Sequence, residues 1–200
     1  MDVALAAFLA RQTPFHTETA VWGWGRGEIH LRLVSYLSNA LPPLDLITSA
    51  NALVLRDDAV LVSRNRDDTH IWPGGRREAG ETLLQTLSRE VFEETGWTIR
   101  DATLLGFVHC QHETPKPEGY PYPYPDFVRA VYTAEADRFT PDTADPDDYE
   151  QESGFRPLEE VRGMTLRMGQ HVYLEQALGM PFKGEDRGEV TPGSAASPRP

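Results

Sequence analysis

The sequence predicts an α+β sandwich, a mixed β-sheet covered by helices. Strand-like apolar runs come as hairpins, and the helical patterns are isolated from one another. No internal repeat is present, and 200 residues suffice for one good core with a small appendage.

The elements follow in chain order. Residues 2–12 read as a short helix, with Leu5, Phe8 and Leu9 at helical spacing. "WGWGRG" reads as a loop or turn. In "EIHLRLVSYL" (28–37), Ile29, Leu31 and Leu33 alternate with Glu28, His30 and Arg32, which favours a strand. "LPPLD" breaks the chain. In "LITSANALVLRDDAVLVSRN" two apolar runs flank the turn-type pair Asp57-Asp58, a hairpin signal. "IWPGGRREAGE" (71–81) is a Gly-rich loop. "TLLQTLSREVFEETG" (82–96) is the best helix pattern in the chain. Thr82 and Gln85 form a capping box, Leu83, Leu84, Leu87 and Val91 the expected buried stripe, and Gly96 the stop. "WTIRDATLLGFVHC" is one or two strands, and "QHETPKPEGYPYPYP" (111–125) a long Pro-rich loop of the kind that often carries function. "DFVRAVYTAEA" is a strand, "DRFTPDTADPDDYEQES" an acidic loop, "FRPLEEV" a strand end or turn entering a helix, and 168–178 a closing helix. The tail from Lys183 is rich in Gly, Pro, Ser and charge and is expected to be disordered.

Apolar residues make up 40% and charged residues 25%, an ordinary globular balance. The net charge of −12, without a basic patch, argues against a nucleic-acid polymer as partner. A small phosphorylated substrate stays open, because a metal ion reverses the local field. The single cysteine, Cys110, forms no internal disulfide and points to a cytoplasmic chain. The N-terminus makes a poor signal peptide, and no stretch approaches the roughly 20 apolar residues of a membrane span.

"REVFEETGW" (89–97) puts Glu90, Glu93 and Glu94 at i, i+3 and i+4, on one side of the helix. Like charges at that spacing repel by a few tenths of a kcal/mol per pair. A solvated acidic face is one explanation, and a bound divalent cation is the other. Arg89, four before Glu93, can hold its rotamer. Glu81 stands at the helix entrance, and Gly74-Gly75 precedes it in a loop that can approach the helix closely. Hard oxygen ligands in a half-open cluster suit Mg²⁺ or Mn²⁺ and metal-assisted phosphate chemistry.

Residues 75–97 read Gly, five residues, Glu, seven residues, then Arg-Glu-Val-Phe-Glu-Glu-Thr-Gly-Trp. The stretch resembles a Nudix box with each defining position filled: Gly75, Glu81, Arg89, Glu90, Val91, Glu93, Glu94, Gly96 and Trp97. The resemblance implies an α/β/α sandwich with the box as a loop–helix–loop. It also implies Mg²⁺- or Mn²⁺-dependent hydrolysis of a nucleoside diphosphate linked to another group. Carried over, Glu90, Glu93 and Glu94 are metal ligands and Gly74, just before the box, offers its carbonyl. Arg89 orients a box glutamate, and Glu81 supports the loop. Such families often add a metal-binding or base glutamate from a distant loop. Glu150 is the candidate here, with Glu113, Glu118 and Glu152 as alternatives.

For the outer phosphate, Arg64, Arg66, Arg76 and Arg77 flank the loop, without a basis for choosing among them. Gly75 and Arg76 belong to the expected substrate-binding set, and Trp72 adjoins the phosphate loop. Tyr120, Tyr122 and Tyr124 form either an aromatic ledge for a ring, with Tyr122 the candidate, or packing for the core or a second subunit. Trp22 and Trp24 could line the site. His109 and His112 are weak candidates for a phosphate contact. A nucleophilic Cys110, as in isomerase relatives of the family, does not match its surroundings here.

The expected layout is an N-terminal extension (1–45) packed on the core, a catalytic domain (46–182) and the tail (183–200). The main alternative function is a binding module of the same fold that senses a nucleotide without cleaving it. A homodimer is left open.

Overall fold

Asp2 caps the first helix, α1 (Val3–Leu9), by accepting the Leu5 N–H at 2.9 Å. Two long strands follow, β1 (Pro14–Trp24) and β2 (Gly27–Leu37). After a 3-10 turn at Leu44–Leu46 come β3 (Ile47–Arg56), β4 (Ala59–Asn65) and the short β5 (Thr69–His70) and β6 (Gly74–Arg76). Helix α2 (Leu83–Thr95) leads into β7 (Trp97–His112) and β8 (Asp126–Phe139). The chain closes with β9 (Glu150–Pro157), α3 (Leu158–Arg162) and α4 (Gln170–Ala177). This computed structural model describes residues 1–25, 27–65, 68–140 and 150–180, with the backbone alone at 150 and 151. The tail expected to be disordered falls outside the described residues, as does most of the acidic loop (141–149).

The strands form one sheet in the order β1-β2-β7-β8-β3-β4-β5, with β6 added on β3 and β9 on β4. Only β3 and β8 run parallel, so the sheet is mixed. Alternation of side chains splits the core into two layers. Ala52 and Val54 pack with Leu5, Leu83, Leu87 and Val91, so α1 and α2 cover one face. Leu53 packs with Ile71, Trp72, Val161, Tyr173 and Leu174, so α3 and α4 cover the other. The result is the expected sandwich of helix, sheet and helix. Among the described residues no helix is long and apolar enough to cross a membrane.

Several local expectations hold and several do not. In α2 the capping box of Thr82 and Gln85 is present, and Gly96 ends the helix with φ 71°. The buried row is Leu83, Thr86, Leu87, Val91 and Thr95, however, and Leu84 is 50% exposed. Leu84 sits off the line joining 83, 87 and 91, and Thr86 fills its place with a hydroxyl that donates to Glu81 at 2.7 Å. "WGWGRG" is not all loop, since Trp22-Gly23-Trp24 ends β1 and only Gly25 is described in the turn. The hairpin at Asp57-Asp58 forms, but its strands pair only at Leu55–Val60 and Arg56–Ala59 before diverging to β8 and β9. Part of the Gly-rich loop is strand β6, which pairs with Ser49–Asn51.

Candidate active site

Arg89, in the middle of α2, is the hub of the site. Its Nε and Nη2 donate to the two oxygens of Glu81 at 2.7 and 3.0 Å. Nη1 donates to Glu90 at 3.0 Å and to Glu93 at 3.1 Å, and Nη2 also reaches the Arg76 carbonyl at 3.0 Å. One guanidinium therefore ties the helix entrance, two of the three acids and strand β6 together. The Arg89 hydrogen bonds hold the Glu81 carboxyl down at about 2, helped by the Glu78 N–H and Thr86. Glu81 in turn raises the Arg89 guanidinium above its ordinary value.

Glu94 is held differently, by the Gly74 N–H on its Oε2 at 2.9 Å. The two glycines ahead of the box explain how strand and helix come so close. A Cβ on Gly75 would lie 2.3 Å from Glu90 Oε2, and one on Gly74 would lie 2.3 Å from the Ala50 carbonyl oxygen. Gly74 also has φ 136°, a conformation that L side chains rarely adopt. Its carbonyl already accepts from Asn51 Nδ2 at 3.0 Å and keeps a second lone pair.

These groups line a cavity of about 460 Å³. Its lining includes Glu90, Glu93, Glu94, Arg89, Gly74, Gly75 and Arg76 from the expected set, together with Trp72 and Tyr122. Glu90 is nearly enclosed, with 12% of its side chain exposed, whereas Glu93 is 53% exposed. Arg76 hydrogen-bonds the Tyr122 hydroxyl, and its guanidinium lies 4.3 Å from the centre of that ring. Burial lowers the Arg76 pKa, against the pull of Tyr122, Tyr120 and Glu90.

Other expected residues lie elsewhere. Glu81 is not in the cavity wall but behind Arg89. Arg77 turns to the Leu44 carbonyl at 3.1 Å, Arg64 is exposed and outside the lining, and Arg66 is outside the described residues. Glu150 has a placed backbone, paired with Asn65, but its side chain is outside the described residues. Glu113 and Glu118 are exposed and do not line the cavity, and Glu152 is exposed 3.6 Å from Arg156. The tyrosines divide their roles. Tyr120 and Tyr122 line the cavity, whereas Tyr124 donates to the Thr114 carbonyl outside it. Trp24 packs edge-on against Tyr120 and Tyr122 from behind, and Trp22 reaches the cavity itself. His109 is buried against Asp126 at 2.8 Å and His112 against the Tyr120 hydroxyl at 3.1 Å, both away from the lining. Cys110 is fully buried and burial pushes its thiol up to about 12, which leaves it inert as a nucleophile.

Asn51, Arg129, His70, Arg167 and Gln170 also line the cavity and were not anticipated. Arg129 donates to Asn51 Oδ1 at 3.2 Å. Asn51 stands between Ala50 and Ala52 and Arg129 between Val128 and Ala130, and a polar residue within such a short apolar stretch is the signal that could have found them. Arg167 donates to Glu18 of β1 at 3.1 Å, and Glu18 also accepts the Met168 N–H at 2.9 Å. Burial pushes the Glu18 carboxyl up, but His16, the Met168 N–H and Arg167 outweigh it and bring it below its ordinary value.

The residues present fit a hard divalent cation in donor chemistry: three carboxylates and a carbonyl oxygen beside a cavity open to substrate. Among the described residues no three acidic, imidazole or thiol side chains stand as a closed cation cage. Two of the carboxylates are turned to Arg89 and the third to Gly74.

A family model described as the NUDIX domain matches residues 45–176. NAD-capped RNA hydrolase NudC of Escherichia coli is 33% identical over 87 residues, 42% of this chain and 29% of that protein. The matched stretch thus spans under a third of the relative's length. Among solved structures, a NUDIX hydrolase from Nitrosomonas europaea superposes with a TM-score of 0.52 at 22% identity, covering 66% of this chain and 89% of that one. A pyrophosphohydrolase from Bacillus subtilis gives a TM-score of 0.53 at 18% identity, covering 76% and 89%. These two likenesses concern the fold.

Proposed function

The chain belongs to the Nudix family, and from that premise we propose that it hydrolyses a phosphoanhydride bond in a nucleoside diphosphate linked to a second group. The observation that carries this reading is the convergence of Glu90, Glu93, Glu94 and the Gly74–Gly75 strand on one cavity, with Arg89 tying Glu90 and Glu93 and the Gly74 N–H holding Glu94. Glu90, Glu93, Glu94 and the Gly74 carbonyl would hold Mg²⁺ or Mn²⁺. Such a cation, when bound, neutralises diphosphate charge and makes water easier to deprotonate.

The chain's own residues do the rest. Arg89 holds Glu90 and Glu93 by its guanidinium and so limits the positions from which the two acids can turn to a ligand. Arg76 and Arg129 take phosphate oxygens, and Tyr122 holds the Arg76 guanidinium in place. Water attacks one phosphorus in line, the bond from that phosphorus to the bridging oxygen breaks, and the second phosphate leaves. The water's proton passes to a carboxylate, either Glu93 of the box or Glu150.

The experiment is a substrate panel with and without Mg²⁺ or Mn²⁺, with products resolved. It covers ADP-ribose, nucleotide sugars, dinucleoside polyphosphates, NAD, and ordinary and oxidised nucleoside triphosphates. NAD is included because the NudC relative is named for NAD-capped RNA, while a net charge of −12 argues against a long polynucleotide here. Metal-dependent cleavage at a phosphoanhydride is the expected outcome. Glu93→Gln and Glu94→Gln should each lose nearly all turnover, at least about a hundredfold by the usual weight of charge-stabilising groups, with an unchanged fold by circular dichroism. Full activity in either variant overturns the assignment. Tight nucleotide binding without turnover would point instead to a sensing module.

A further inference from the structure

Gln170 opens α4 and is fully buried. Its Oε1 accepts the Ile71 N–H at 2.9 Å. A backbone N–H needs an acceptor, so that bond fixes which end of the amide faces Ile71. The amino end is turned the other way, and Nε2 has no acceptor among the described residues. Gln170 nonetheless lines the cavity. A locked, buried donor without an acceptor is costly and is rarely retained without a partner.

The same cavity holds other donors beside the acceptors Asn65, Asp68 and Glu78. The Ser49 hydroxyl, in a residue 6% exposed, has no partner either. Arg129 lies 5.8 Å from the centre of the Trp72 ring. His70 adds no charge, because burial, and then the Arg129 charge, pull its pKa down to about 4. Trp22 and Phe127 add flat apolar surface to the lining. Donors beside aromatic surface suit a flat ring with a carbonyl edge.

We propose that Gln170 reads the substrate's heteroaromatic base, its Nε2 donating to a ring oxo group and so selecting oxo bases over amino bases. The inference rests on the proposed nucleotide-diphosphate reading of this site and names its base preference. A 6-amino or 4-amino group would set a donor against a donor and leave both unpaired.

The test is binding, which needs no turnover. Titration calorimetry on the full chain compares inosine with adenosine monophosphate, and uridine with cytidine monophosphate. Pyrophosphate serves as a control without a base. The wild-type protein should prefer the oxo member of at least one pair by about tenfold, the usual penalty for one mismatched buried donor. Gln170→Glu keeps an acceptor for the Ile71 N–H and removes the donor, so the ratio should fall to about one or invert. Taking a ratio within each pair cancels the added charge. Gln170→Met removes the donor without adding charge and should flatten the same ratio, with folding followed by thermal unfolding. No preference in the wild-type protein, or a preference that survives in either folded variant, overturns the proposal. So does an equal loss of pyrophosphate and oxo-nucleotide affinity in Gln170→Met, which would put the donor on phosphate. Hydrolysis across the panel without an oxo preference sinks only this inference. An oxo preference without hydrolysis sinks only the catalytic reading.

Discussion

Arg89 answers the repulsion that three glutamates on one helix face would otherwise cause. It holds Glu81 through two hydrogen bonds and touches Glu90 and Glu93 with the same nitrogen. A sequence can show this much, because residues one and four apart on a helix have fixed relations to each other. It cannot show Arg129, Asn51 or Gln170 as neighbours, since two strands and a distant helix bring them together. The Glu81–Arg89 pair also makes a pH prediction. The Glu81 carboxyl is held at about 2, well below its ordinary value of 4.5. A depressed acid contributes its full stability above about pH 4.5 and loses it as pH falls toward 2. Glu81→Gln should therefore lower the melting temperature at neutral pH and make the acid limb of the stability curve shallower. An acid limb as steep as in the wild-type protein, measured by thermal unfolding from pH 7 to 3, would count against the pair.

At the scale of elements, α2 was the most legible part of the chain. Its capping box and left-handed Gly96 are local signals and both are present, and of the expected apolar row Leu83, Leu87 and Val91 are buried while Leu84 is not. Thr82→Ala should remove the cap and cost about 1 kcal/mol by denaturant unfolding. A loss under a few tenths would mean that the Gln85 side chain alone secures the helix start. Strand β1 was missed, because its burial shows no sustained alternation and "WGW" reads as a turn. The β3–β4 hairpin forms where its turn signal lies, but the length of its pairing is not legible. Two strong apolar runs around a turn look alike whether they pair along their length or splay after two residue pairs, and only the later strands β8 and β9 decide.

Across the whole molecule, the N-terminal hairpin is wired into both sheet and site. Strand β2 pairs with β7 from Leu31–His112 to Leu37–Gly106, and Ala20, Trp22 and Leu33 reach the cavity. Glu18 fastens β1 to Arg167 and Met168 just ahead of α4. The sandwich could be inferred from the residues, but this partnership could not, since it depends on register between segments far apart. Deleting residues 1–37 should strip the edge of β7, expose Val108 and Cys110, and leave an aggregating chain without turnover. A soluble, active truncation, by gel filtration and the substrate panel, would show the hairpin to be dispensable. The same pairing sets an order in time. Synthesis completes the hairpin first, yet the partner of Leu31 is His112, roughly 80 residues later. At roughly 5–20 residues per second that is a wait of about 4–16 s. Through it the newborn chain carries a long apolar ribbon whose β2 edge, later covered by β7, is still open, so the hairpin that helps shape the finished pocket is also the place where a half-made molecule is most exposed to capture by its neighbours.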